Sequence, residues 1–214
     1  MKHILRTLLC SLVTLAAVAG AAQAHPHVWV TMTSELVYAP DGSVTGVRHA
    51  WAFDDMFSTF ATQGIESKQK GVFTREELAP LAQVNVDSLK DFDYFTYAKA
   101  NGKKAPFEGP TDYWLEYKDS VLVLHFTLPF KAPVKAQRLD VEVYDPTYFV
   151  DFELAEKDPV KLVNAPSQCK LTVVQPTDAN ASPNAPVNEQ FFNSLDASAK
   201  YGAQFANKIS VKCP

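Results

Sequence analysis

The sequence predicts a mainly β (α+β) fold: an antiparallel β-sandwich-like body with helical inserts and a C-terminal helix. Three observations predict it. Short runs rich in Val, Tyr, Phe and Thr recur across 27–53, 94–128, 138–154 and 170–174, with turn signals every ten residues or so. The βα alternation that a parallel doubly wound sheet requires is missing. Helical spacing of apolar residues is confined to three stretches, near 55–60, 74–90 and 189–206.

The first element is a hairpin over His27–Phe53, with Pro40-Asp41-Gly42 at its turn. If Ala39 faces Ser43, His27 lies across from about Asp55, give or take one residue for a bulge. The hairpin then returns Asp54-Asp55 to the start of the first strand. On that register Trp29 and Trp51 form a near-diagonal pair that either fills the core or walls a site.

A short helix is expected at Asp55–Phe60, and a longer one from Thr74 to about Lys90 with Pro80 in its first turns. Thr74-x-x-Glu77 reads as a capping box. The preceding Glu66–Glu77 has the frame of an EF-hand loop, with the acid first, Gly71 sixth and Glu77 last. Lys68 and Lys70 stand where oxygen ligands belong, so no calcium site is assigned.

From Asp93 the strands resume as a meander: Tyr94–Lys99, the Asn101-Gly102 turn, Ala105–Phe107, Tyr113–Tyr117, the Lys118-Asp119-Ser120 turn and Val121–Leu128. Arg138–Tyr144 and Tyr148–Leu154 follow, separated by the Asp145-Pro146 turn, and then Lys170–Val174. Residues 176–186 are rich in Pro, Asn, Ala and Ser and read as a mobile loop. Glu189–Ala206 places Phe191, Phe192, Leu195, Ala199 and Phe205 on or near one helical face, and Ile209–Val211 closes the chain as a strand.

Residues 1–24 have the form of a secretory signal. Lys2 and Arg6 precede an apolar run from Leu8 to Val18, too short to span a bilayer, and Ala22-Gln23-Ala24 is a small-x-small cleavage site. The expected product is one exported, periplasmic domain over 25–214. Cys10 leaves with the signal, and Cys169 with Cys213 makes an even pair suited to one disulfide in an oxidising compartment. The net charge of −4 and the absence of a basic run argue against nucleic acid and anionic membrane as partners.

Cleavage after Ala24 makes His25 the first residue of His25-Pro26-His27-Val28-Trp29. Its α-amine then joins two imidazoles within three residues, a nitrogen set suited to a divalent transition metal ion: Zn, Ni, Co or Cu. Pro26 has no N–H to lose, so square-planar binding through deprotonated amides is blocked. The expected ligands are His25, His27 and a carboxylate from Asp54 or Asp55. His49 and His125 are further candidates. His49 sits in the return strand and reaches the terminus only if the hairpin coils sharply. His125, mid-strand in Val123-Leu124-His125-Phe126, has the competing reading of a hydrogen-bonded core histidine. Asp145 sits on a turn that serves structure first. No G-x-S-x-G, H-E-x-x-H or Walker loop is present, which leaves little basis for a hydrolase. Two alternatives stay open: a copper-dependent redox enzyme with an N-terminal histidine chelate, and a structural or adaptor module.

His25-Pro26-His27-Val28-Trp29, Trp51-Ala52-Phe53-Asp54 with Phe57-Ser58, Tyr144-Asp145-Pro146 and Gly202-Ala203-x-Phe205-Ala206 with Cys213 resemble domain-of-unknown-function family 1007. Its members are exported bacterial proteins labelled uncharacterised periplasmic components of ABC-type transport. The resemblance implies transition-metal handling beside a nickel/cobalt-type inner-membrane metal permease or ABC-type transporter as partner.

Overall fold

Strict alternation of buried and exposed side chains organises the computed structural model, which describes residues 25–69, 71–176 and 200–214. The elements are β1 (Val28–Tyr38), β2 (Val44–Phe53), α1 (Asp55–Ala61), α2 (Arg75–Leu89), β3 (Thr96–Ala100), β4 (Lys103–Lys104), β5 (Thr111–Lys118), β6 (Val121–Val134), β7 (Arg138–Val143), β8 (Val150–Leu154), β9 (Val160–Val163), β10 (Lys170–Val174) and β11 (Asn207–Lys212). They build two sheets. The first runs β5-β6-β2-β1-β8, with β9 also on β1; the second runs β10-β11-β7-β3-β4.

The sheets pack face to face. Met32, Leu36, Trp51, Leu124, Phe126 and Leu128 point in from the first, and Leu139, Val141, Val143 and Ile209 from the second, all essentially buried. This is the predicted sandwich. Where the second sheet does not reach β5, α2 closes the layer by burying Leu78, Ala82 and Val86. Its Thr74–Glu77 capping box forms as expected. The β5–β6 hairpin turns on Asp119 and Ser120, both at positive φ (52° and 67°), the signature of a two-residue primed turn that follows the twist of its strands.

Several expectations change. The sheet is not wholly antiparallel, because β8 and β9 run parallel to β1. The strands β3 and β4 belong to the second sheet, so the predicted meander is split between layers. Strand β9 had no counterpart in the sequence reading. Of the expected C-terminal helix, 189–199 lie outside the described residues, Tyr201–Phe205 is a 3₁₀ turn, and Asn207 already belongs to β11. The signal segment 1–24, Lys70 and, within the expected mobile loop, 177–186 also lie outside the described residues. Among the described residues no helix is long and apolar enough to cross a membrane. Cys169 and Cys213 form the disulfide, flanking the β10–β11 ladder.

Candidate functional site

The hairpin register decides what stands beside the chain's start. Ala39 N–H donates to the Ser43 carbonyl at 2.8 Å, as expected, but a bulge between Val37 and Tyr38 shifts the rest by one residue, pairing Val30 with Phe53. Trp29 therefore comes level with Asp54. Asp54 N–H donates to the Trp29 carbonyl, and Trp29 N–H donates back to Asp54 Oδ2, both at 2.9 Å. The other oxygen, Asp54 Oδ1, accepts Phe57 N–H at 2.9 Å and caps α1. Asp54 is thus committed to backbone, while Asp55 is exposed in the first turn of α1.

His25 and His27 come together. Their ring centroids are 4.6 Å apart in an edge-on arrangement, and Phe149 packs against both, at 5.9 Å and 4.9 Å. The backbone enforces this: His27 and Val28 N–H both donate to the Phe149 carbonyl, at 2.9 and 3.2 Å, where β1 meets β8. Phe149 is itself held by Asp145. That carboxylate is 3% exposed. Its Oδ1 accepts the Thr147 amide and hydroxyl, and its Oδ2 accepts the Phe149 and Val150 amides, all at 2.8–3.0 Å. Behind the turn Gly202 N–H donates to the Pro146 carbonyl at 2.9 Å. A Cβ on Gly202 would stand 1.6 Å from the Asp145 carbonyl oxygen. Tyr148 stacks on Phe205 at 3.8 Å. Motifs far apart in sequence thus close into one belt at one end of the first sheet.

Asp145 is accordingly a fastener rather than a ligand. Its importance to the site was missed because Asp-Pro alone signals only a turn; the one cue was Thr147 two residues on, suited to such a hydrogen-bonded turn.

The remaining histidines stand apart. His49 faces the core at 2% exposure, and burial lowers its pKa from 6.5 to about 3. Thr96 Oγ1 donates to the Tyr94 carbonyl, so it accepts from His49 Nε2 at 3.3 Å, leaving Nδ1 to accept Ser34 Oγ–H at 2.9 Å. The neutral ring is satisfied between the two sheets and does not join the terminus. His125 lies on the outer face of the first sheet, not in the core. It stacks on Trp114 at 4.7 Å and places Nε2 3.3 Å from Glu116 Oε2, while the Arg75 guanidinium lies 4.6 Å from the Trp114 ring centre. Trp51 is core, but Trp29 points the other way and is exposed. In the EF-hand-like frame, Glu77 accepts Lys68 N–H through Oε1 and Thr74 N–H through Oε2, and these two amides hold its pKa below the usual carboxylate range.

Among the described residues no three His, Cys, Asp or Glu side chains gather into a metal-binding group. Of the expected ligands, the structure joins His25 to His27 and leaves Asp54, Asp55, His49 and His125 outside the pair. A metal–nitrogen bond of about 2 Å, plus roughly 1 Å from nitrogen to ring centre, puts two rings on one tetrahedral ion about 5 Å apart. The observed 4.6 Å fits that spacing.

Comparison with known proteins brings uncharacterized relatives. An uncharacterized protein of Haemophilus influenzae is 24% identical over 202 residues, 89% of this chain and 91% of its own. An uncharacterized 15.5 kDa protein in the trpE 3′ region of Spirochaeta aurantia is 31% identical over 93 residues, 43% of this chain and 66% of its own. With residues 10–213 matched, the chain belongs to the family described as protein of unknown function (DUF1007).

Proposed function

We propose that this is a periplasmic protein that binds a divalent transition metal ion at its mature terminus and serves a membrane metal transporter as an accessory or substrate-binding component. The observation that carries the reading is the His25–His27 pair, two imidazoles 4.6 Å apart and fixed by the β1–β8 junction. Cleavage after Ala24 adds the His25 amine as a third nitrogen. The set is uncharged and nitrogen-only, which favours Zn, Ni, Co or Cu over hard oxygen-seeking ions. The protein does not act as an enzyme in this reading.

The test uses protein exported and processed by its own signal, with zinc or nickel titrated calorimetrically. The native terminus binds. His27→Ala weakens binding at least tenfold, one Gly inserted before His25 does likewise by displacing the amine, and His49→Gln leaves affinity within twofold. Undiminished affinity in both the Gly-extended and His27→Ala proteins overturns the reading.

One observation supports a copper-dependent redox enzyme instead. Trp29 and Phe149 are exposed beside the pair, as a site acting on an extended substrate would need. Peroxide-driven turnover by the copper-loaded protein, lost in His27→Ala, would favour that reading.

A further inference from the structure

Register gathers cations on the outer face of the second sheet. Lys170 of β10 stands opposite Lys212 of β11, and Lys212 opposite Arg138 of β7, all three exposed. Two residues along β7, Asp140 stands opposite Lys99 of β3, and Lys99 opposite Lys104 of β4. Two residues further, Glu142 stands opposite Lys208 of β11. The intervening Leu139, Val141, Ile209 and Val211 are buried between the sheets, so alternation sends these cations to the solvent side. Among the described residues this face sets Asp140 and Glu142 against them, and Asp140 is already engaged. Arg138 Nε donates to both of its oxygens, at 3.0 and 2.8 Å, and Ser210 Oγ–H donates to Oδ1 at 2.6 Å. Lys104 reaches the exposed Asp93 at 3.8 Å. A chain with a net charge of −4 thus carries one basic face. No basic run announces it, because its members sit on five different strands.

Side chains at directly opposed strand positions have Cβ atoms about 5 Å apart, so the row Lys170–Lys212–Arg138 repels itself. Lysine on an edge strand protects against edge-to-edge pairing, which accounts for Lys170 and Lys104. It does not account for Lys208, Lys212, Arg138 and Lys99, which lie on the interior strands β11, β7 and β3. An anionic surface laid against the face relieves the repulsion of all six.

From this charge complementarity we infer that the outer face of the second sheet docks onto an anionic lipid bilayer through its phosphate headgroups. Two features choose the bilayer over a single soluble anion. Five strands about 4.8 Å apart spread the cations across roughly 20 Å, more than one phosphate group spans. Five of the six are lysines, compact charges on flexible stems that suit many loosely placed phosphates rather than one fixed bidentate site. The docking does not depend on the metal reading. It would hold an exported chain beside the membrane in which the proposed transporter sits.

The experiment is vesicle flotation of the exported, processed protein in EDTA, on phosphatidylcholine vesicles with and without about 40% phosphatidylglycerol. The expected result is binding to the phosphatidylglycerol vesicles that falls steeply between about 25 and 300 mM salt, and none to phosphatidylcholine alone. At roughly fivefold per cation, Lys208→Glu with Lys212→Glu weakens binding at least about twentyfold. Lys157→Glu with Lys161→Glu makes the same charge change at exposed positions by β9 of the first sheet, and weakens it less than about threefold. Should the glutamates disturb the β11 ladder, Lys208→Gln with Lys212→Gln gives a smaller loss in the same direction. Absence of binding to phosphatidylglycerol vesicles at low salt overturns the proposal, as does an equal loss in the two charge-reversed proteins. Displacement from the vesicles by about 10 mM inorganic phosphate at constant ionic strength also overturns it, in favour of a discrete oxyanion site.

Discussion

His49 ties pH to stability through a linkage that can be worked from its surroundings. Its ring is clamped between the sheets by Ser34 and Thr96 and takes no proton until about pH 3, because burial penalises the charged form. In the unfolded chain the same ring titrates at 6.5. Between these values the unfolded state binds the extra proton, so stability falls as pH drops below 6.5 and is unaffected above it. At pH 5, one and a half units below the unfolded value, the loss is about 2 kcal/mol at 1.36 kcal/mol per unit. His49→Gln removes the linkage while keeping an amide able to meet both hydroxyls. Urea denaturation followed by tryptophan fluorescence, at pH 7 and pH 5 in EDTA, gives the comparison. Carboxylates and the other histidines titrate alike in both proteins, so the difference of differences isolates His49. Wild type should lose about 2 kcal/mol more than the variant between the two pH values. Parallel losses, within about 0.5 kcal/mol, would refute the reasoning.

Two further outcomes follow from covalent and close-packed contacts. The Cys169–Cys213 bridge spans a sequence separation of 44, which in the chain-entropy picture is worth about 4 kcal/mol. Reduction, or Cys169→Ser with Cys213→Ser, should lower the Tm by about 10 °C, and free thiols titrated in native, unreduced protein would contradict the pairing. Gly202→Ala puts a methyl 1.6 Å from the Asp145 carbonyl oxygen, which backbone must move to relieve. A loss of about 2–4 kcal/mol in urea denaturation is expected, and a loss under about 0.5 kcal/mol would show that the Asp145 turn is not held as described.

Local signals carried most of the fold. Pro40-Asp41-Gly42, the Asp119-Ser120 turn and Thr74-x-x-Glu77 each specify geometry within a few residues, and each appears where expected. The bulge at Val37/Tyr38 shows the limit. Side chains alternate with period two, so a one-residue slip sends Trp29 to the face opposite Trp51 and aligns it with Asp54. His125 was misplaced for a related reason. Val121–Phe126 is apolar on both faces, so alternation could not say which face was core. The parallel pairing of β8 and β9 with β1 joins segments more than a hundred residues apart, and nothing local in Val150–Leu154 or Val160–Val163 names its partner. Of the site, the pair His25–His27 was legible and its support was not.

That support bears on which ions the terminus can serve. Asp54 and Asp145 are both spent by the fold on its own backbone, while Asp55 stays exposed. Asp54 takes the Trp29 and Phe57 amides, fixing where β1 starts and where α1 begins. Asp145 takes four donors and so fixes Phe149, whose carbonyl and ring then position His27. A carboxylate already accepting two to four hydrogen bonds gives them up only at the cost of leaving amides unsatisfied, about 1–3 kcal/mol each. What the proposed site would offer an ion is then mainly imidazole and, after processing, an amine, with Asp55 exposed nearby on α1. Hard cations such as calcium and magnesium draw their affinity from oxygen ligands, so the proposed site would bind nitrogen-preferring ions more tightly. If the terminus binds metal as proposed, the acids that shape it favour nitrogen-preferring ions by staying out of the ligand set.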